Sequence, residues 1–259
     1  MKQYVAIDSR DRDTVAYPTT STYAVKLPQT FHNVTAARLM TAEIPHAFFQ
    51  FASARNNTSM VFRRDGVLKT VTIHDGSYAT TADLATAVEL ALEAAYGDIG
   101  AQFTVTVSNT TKRMTIFSAG ATTLDMLASD QVDTGLLWKC LGFVLDISGS
   151  STIVGLHPVQ LIAEPYIMLD IDELSSVHET GPNAGTAGPA FAKIPISVAP
   201  FATMFWDKQV TANYIDPPIA RLTDISITLR YHDGAIVDFG AHDHSFTIEL
   251  ECSQERSTW

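Results

Sequence analysis

Apolar and polar residues alternate along most of this chain, and that two-residue period limits its fold more than any other feature. Strand-like stretches run over Tyr4 to Asp8, Thr22 to Leu27, Ala36 to Ile44, Ser59 to Arg64, Lys69 to His74, Gln102 to Ser108, Arg113 to Ser118, Tyr166 to Ile171, Phe191 to Ile196, Arg221 to Tyr231 and Ser245 to Glu251. Turn chemistry bounds them at Arg64-Asp65-Gly66, Asp75-Gly76, Ser108-Asn109, Gly149-Ser150 and Asp233-Gly234. Many short strands at this spacing predict a mainly β protein, an antiparallel β-sandwich or barrel.

One helix interrupts the pattern. Thr80-Thr81-Ala82-Asp83 has the form of an N-terminal cap, Leu84, Val88, Leu92 and Ala95 recur at helical spacing, and Gly97 ends the run. The helix lies between a strand and the hairpin of Phe103 to Val107 and Met114 to Phe117, so residues 66–146 read as a small inserted α+β unit. A single β-sandwich unit is then expected from 1–65 plus 147–259. A second short helix is expected over Thr123 to Ala128, with Leu136-Leu137-Trp138 after it. Residues 175–189 read as a long exposed loop, since Gly181, Pro182, Gly185, Gly188 and Pro189 deny it a regular element. Asp216-Pro217-Pro218 reads as a rigid spacer feeding a strand from Ile219 to Tyr231.

Composition narrows the function. Charged residues make up 17% of the chain, against roughly 25% in an average soluble domain, so Thr, Ser, Ala and apolar side chains must cover much of the surface. A surface of this kind suits contact with other proteins. The formal net charge of −11 opposes binding of a phosphate backbone. No apolar run approaches a membrane span, and the first residues lack the apolar core of a secretory signal, which predicts a protein retained in a cytosol-like compartment. Cys140 and Cys252 are far apart, with neither a CxxC nor a Cys/His cluster, so no disulfide framework or zinc site is expected. Nucleophile elbows and phosphate-binding loops are absent, and no cofactor is expected.

The candidate chemical cluster is Gly240-Ala241-His242-Asp243-His244-Ser245, since His242 and His244 on one strand would share a face and could hold a metal with Asp238. The favoured reading is that both histidines satisfy groups at a loop-to-strand junction, and no metal is expected. Asp170-Ile171-Asp172-Glu173 is favoured as a solvated strand end. In Asp8-Ser9-Arg10-Asp11-Arg12-Asp13, Arg10 and Arg12 either make local ion pairs or clamp an N-terminal arm onto its own domain or a neighbour.

Apolar residues in poor strand context say more. Pro45 precedes Phe48, Phe49 and Phe51, and Pro200 precedes Phe201, Phe205 and Trp206. Core burial and contact with another subunit both account for such runs, and Trp259 cannot be assigned to either. Exposed Trp138, Trp206 or Tyr214 would instead supply stacking platforms for a glycan-binding module.

Several stretches together resemble a known family. Ile7-Asp8-Ser9-Arg10-Asp11-Arg12-Asp13, Tyr17-Pro18, Tyr23-Ala24-Val25-Lys26-Leu27-Pro28, Asn33-Val34, Leu39 and Ala42-Glu43-Ile44-Pro45 resemble the N-terminal pattern of minor capsid proteins of the nucleocytoplasmic large DNA viruses. Asp75-Gly76-Ser77-Tyr78 and Leu141-Gly142-Phe143 are similar to that family's inserted unit, and Val237-Asp238-Phe239-Gly240 with His242 to Leu250 to its closing pattern. The resemblance implies a jelly-roll-like sandwich in the virion capsid, assembled in host cytoplasm, that cements or spaces capsomers. Its implied partners are major capsid protein capsomers, other minor capsid proteins and further copies of itself. It implies neither catalysis nor nucleic acid binding, and it allows a place on the membrane-proximal inner capsid face. A metal-dependent enzyme using His242 and His244 and the glycan-binding module remain as alternatives.

Overall fold

The computed structural model describes residues 1–97, 102–131, 135–162, 164–175, 189–207 and 211–253. The chain divides into two compact units, Met1–Phe48 with Glu164–Trp259, and Phe49–Ala163.

The first unit is an antiparallel β-sandwich of curled strands. Its seven-stranded sheet runs in the order β1 (Lys2–Asp8), β14 (Ser245–Cys252), β2 (Thr22–Pro45), β13 (Asn213–Arg230), β10 (Tyr166–Ile171), β11 (Ala192–Pro195), with β12 (Thr203–Trp206) also paired to β2. The strand stretches expected at Thr22 to Leu27 and Ala36 to Ile44 are one strand, because Pro28 does not break it. Lys26 pairs with Asp224 and Phe31 with Leu222, so Pro28 lies in an irregularity opposite Thr223, where no ladder bond needs its missing N–H. The Asp216-Pro217-Pro218 spacer is likewise part of β13, in the register shift between Tyr214 and Ile219. β12 and β13 follow one another along the same antiparallel path on β2, from Thr203 opposite Pro45 to Thr228 opposite Thr22. Inward residues of these strands, among them Tyr23, Val25, Phe31, Leu39, Ile44, Ile225, Ile227, Phe246 and Ile248, form one buried core.

The second unit has its own core. β3 (Ser59–Arg64) and β4 (Val67–Thr72) form a hairpin through Asp65 and Gly66, both at positive φ. β5 (Gln102–Val107), β6 (Arg113–Ala119) and β9 (Thr152–Pro158) make a three-stranded sheet. α1 (Thr81–Tyr96) opens with a full capping box between Thr80 and Asp83. It buries Leu84, Ala85, Val88, Leu92 and Tyr96 with Phe103, Val105, Ile116 and Ile153. The helix expected over Thr123 to Ala128 is instead β7 (Leu124–Met126), which pairs with β3 and with β8 (Ile147–Gly149). Leu124 and Met126 point into the core, and that two-residue period outweighs the helix-like composition. α2 (Leu137–Cys140) follows. The unit is wider than residues 66–146, because β3 belongs to it through β4 and β7, and β9 through β6.

Candidate interaction surface

Burial sorts the aromatic runs. Phe48 packs edge-on against Tyr231 and Phe239 in the first core. Phe51 is buried in the second, against Tyr78 and bridged to Gly76. These two expected contact residues are therefore core residues, and Phe49 is the exposed member of the three. The second run behaves differently. Trp206 packs against the first core, while Phe201 and Phe205 are 74% and 60% exposed.

The turn that carries Phe201 is tied down by His46. Phe201 N–H donates to His46 O at 2.8 Å, His46 N–H donates to Ala202 O at 2.9 Å, and His46 Nδ1 lies 3.0 Å from Val198 O. Phe201 sits at φ 68°, in left-handed backbone that a bulky residue rarely adopts.

Beside this turn the N-terminal arm is clamped onto its own unit. Arg12 donates to Ser9 O at 2.7 Å, to Asp243 at 3.0 Å and to Tyr17 O at 3.1 Å. Ser9 Oγ donates to Asp243, and Ser9 and His244 exchange two further bonds. Arg10 is exposed and closes on Asp8, a pairing that holds the Asp8 carboxyl below its ordinary range. These bonds place Arg12 in a clamp on its own unit.

The two histidines do not share a strand face. β14 begins at Ser245, so His242 and His244 lie in the preceding turn, where alternation does not apply. His242 is exposed, whereas His244 is buried, its Nε2 3.0 Å from Tyr23 Oη and its ring stacked on Phe246. Among the described residues no three His, Cys, Asp or Glu side chains cluster closely enough to hold a metal, and Asp238 accepts from Gly240 N–H.

One row of residues crosses four strands here: Phe205 opposite Glu43, Glu43 opposite Ser245, and Ser245 opposite Asp8. A notch of about 330 Å³ opens on it, lined by Asp8, Arg10, Glu43, Pro45, Thr203, Asp243, His244 and Ser245. Of its three carboxylates, Asp8 is paired with Arg10 and Asp243 with Arg12, while Glu43 accepts from Ser245 Oγ and has no cationic partner among the described residues. Sequence reasoning missed the notch, because only strand register brings its four chain segments together.

Elsewhere, Asp170 pairs with Arg230 and Glu173 accepts from Ser226 N–H, so that acidic run is bonded into the fold and is not a free strand end. Trp138 is buried and offers no stacking face, whereas Tyr214 is exposed. Pro189 is half-buried, while Gly181, Pro182, Gly185, Gly188 and Trp259 lie outside the described residues. Among the described residues no helix is long and apolar enough to cross a membrane.

Comparison with known proteins places this geometry. Residues 3–148 match the model of a family of unknown function, DUF5901. The chain belongs to that family. This DUF5901 member is also 33% identical over 94 residues to penton capsid protein P1 of Paramecium bursaria Chlorella virus 1. That match covers 34% of this chain and 55% of the viral protein, so the chain aligns with little more than half of its relative. Its fold is similar to that of the mavirus penton protein, known from a crystal structure of the selenomethionine-labelled form, with a TM-score of 0.56 and 9% identity. That likeness covers 97% of this chain and 99% of the mavirus chain. The resemblance to capsid proteins of large DNA viruses, read from short motifs, thus reappears as an extended alignment.

Proposed function

We propose that this DUF5901 member is a structural component of an icosahedral virus capsid, a minor protein that spaces major capsid capsomers through protein–protein contacts. The observation that carries the reading is the 94-residue alignment with a penton capsid protein. The fold shared with the mavirus penton protein supports it and favours the capsid vertex over an inner-face cement. The role is geometric: rigid sheets set a distance, and a few exposed aromatics anchor neighbours. The virion capsid, assembled in host cytoplasm, is the expected location, with major and other minor capsid proteins as partners.

The test is quantitative mass spectrometry of purified particles of the source virus. A constant ratio to the major capsid protein, matching five copies at each vertex, is expected. A higher fixed ratio would support an inner-face cement instead, and absence from particles would overturn the reading. The enzyme alternative draws no support from a buried His244, and of the three glycan platforms Trp138 is buried, Trp206 packs against the first core and Tyr214 is exposed.

A further inference from the structure

We propose that the free edge of β12, the Phe201 turn and the acidic notch together form a docking surface for a basic, apolar-flanked segment of the major capsid protein. This rests on the capsid reading above and names the surface that would serve it.

Four observations converge on this part of the first unit. Pro200 followed by Phe201 at positive φ gives the turn the form that ordinarily takes glycine at its third position. A phenylalanine there bears backbone strain, and with 74% of its surface in solvent it gains little burial in return. Strain of this sort persists where surrounding bonds hold it, here those from His46, and it concentrates at functional positions. Second, β12 pairs with β2 on one side, and among the described residues no strand pairs with its other edge. Such an edge offers backbone N–H and C=O groups to an added extended segment.

Third, Phe205 stands in register with Glu43 at the lip of the notch, so an apolar contact and a carboxylate lie side by side. Fourth, His244 lines the notch at 3% exposure and its Nδ1 has no hydrogen-bond partner. Nε2 is taken up by Tyr23 Oη, so Nδ1 is the ring nitrogen left for a ligand's polar group. The surface therefore combines aromatic knobs, a strand edge and the Glu43 carboxylate, which has no cationic partner among the described residues, and this matches an extended segment bearing arginine or lysine beside an apolar residue. A second copy of this chain is the rival occupant, and the sedimentation of the free chain separates the two.

The experiment mixes the full-length chain with major capsid protein purified from particles and reads affinity by sedimentation at low and high salt. Wild type should bind more weakly as salt rises. Phe201→Gly should keep or raise the melting temperature of the free chain while lowering affinity by about tenfold or more. Glu43→Gln, which keeps an acceptor for Ser245, should lower affinity and flatten the salt dependence. Leu90→Ser, on the exposed side of α1, serves as the control and should leave binding unchanged. Wild-type binding by both the Phe201 and the Glu43 variants would overturn the proposal, as would a chain that enters particles yet does not bind this protein. A shift in the sedimentation of the free chain on substitution would replace the occupant with a second copy. Failure of the capsid reading is distinct: the chain would be missing from particles altogether.

Discussion

Tyr23 Oη lies 3.0 Å from His244 Nε2 inside the sandwich core, joining β2 to the turn that enters β14. Burial pushes the His244 imidazole down to about 4, outweighing the opposite pull of Asp243 and Asp8. An unfolded chain binds that proton near pH 6.5, so between about 6.5 and 4 the unfolded state holds more protons than the folded one. Stability contributed by the neutral ring is complete above the upper value and is lost as pH falls through the window, on the order of 3 kcal/mol at most. Urea midpoints measured from pH 7 to 4 should fall for wild type and stay flatter for His244→Phe. Paired carboxylates such as Asp8, held below the ordinary range, lose their contribution at still lower pH.

Glu249 is 2% exposed and takes Lys2 Nζ at 3.0 Å and Arg38 Nε at 2.8 Å, from the strands on either side of β14. Burial raises its carboxyl, but bonds from Lys2, Arg38 and Tyr4 outweigh this and leave it below the ordinary range. Glu249→Ala should cost about 2 kcal/mol, since it removes the shared acceptor of a buried three-strand tie. Lys2→Ala should cost far less, because the lysine is half in water and Arg38 remains. Chemical denaturation of both variants checks the ranking.

The hairpin at Asp65-Gly66, the capping box at Thr80 and Asp83, and the alternation that became β1, β6, β10 and β14 were all legible, since each depends on neighbours in sequence. β2 was not legible as one strand, because the rule that proline ends strands fails where the proline sits in a bulge of its own strand and no ladder bond is lost. β7 was misread for a related reason: three residues carry too few periods to tell a strand from a helix turn, and its pairing with β3 decided the matter. Of the candidate surface, Phe201 and Phe205 could be singled out as apolar residues without a strand context. Phe48 and Phe51 carried the same signal and proved to be core, because exposure depends on which elements cover a residue. The notch could not be foreseen, as it joins residues near 8, 43, 203 and 243 through register alone.

Gly142 explains one of the motifs physically. It adopts φ 87°, and a Cβ placed there would lie 2.1 Å from His157 O, a backbone atom that cannot move aside cheaply. The same glycine's carbonyl accepts from Leu156 and His157 N–H, so the close approach holds α2 against β9. Gly142→Ala should therefore destabilise the second unit by about 3 kcal/mol or more, combining positive-φ strain with displacement of a strand. Hydrogen exchange should show the loss in β9 and α2, while the exchange of β2 and β14 amides stays as in wild type.

Tyr96 closes α1 onto the β3–β4 hairpin. Its hydroxyl donates to Phe62 O, with Val67 O 3.1 Å away, and its ring meets Phe62 and Phe103 at tilted or edge-on angles. Tyr96→Phe keeps the ring contacts and deletes the donor, leaving the carbonyl at the end of α1's buried face without it, so it should cost about 1–2 kcal/mol. Leu92→Ala, one turn earlier on the same face, should cost more, roughly 2–5 kcal/mol, because it opens a cavity in a packed core. The two variants differ again with pH. Burial raises the Tyr96 phenol to about 12, against about 10 in an unfolded chain, so the folded state holds its proton longer. Its contribution is complete below the lower value and is lost as pH rises through the higher one. Tyr96→Phe should thus weaken the alkaline fall in stability, whereas Leu92→Ala should lower the whole curve and leave that slope in place.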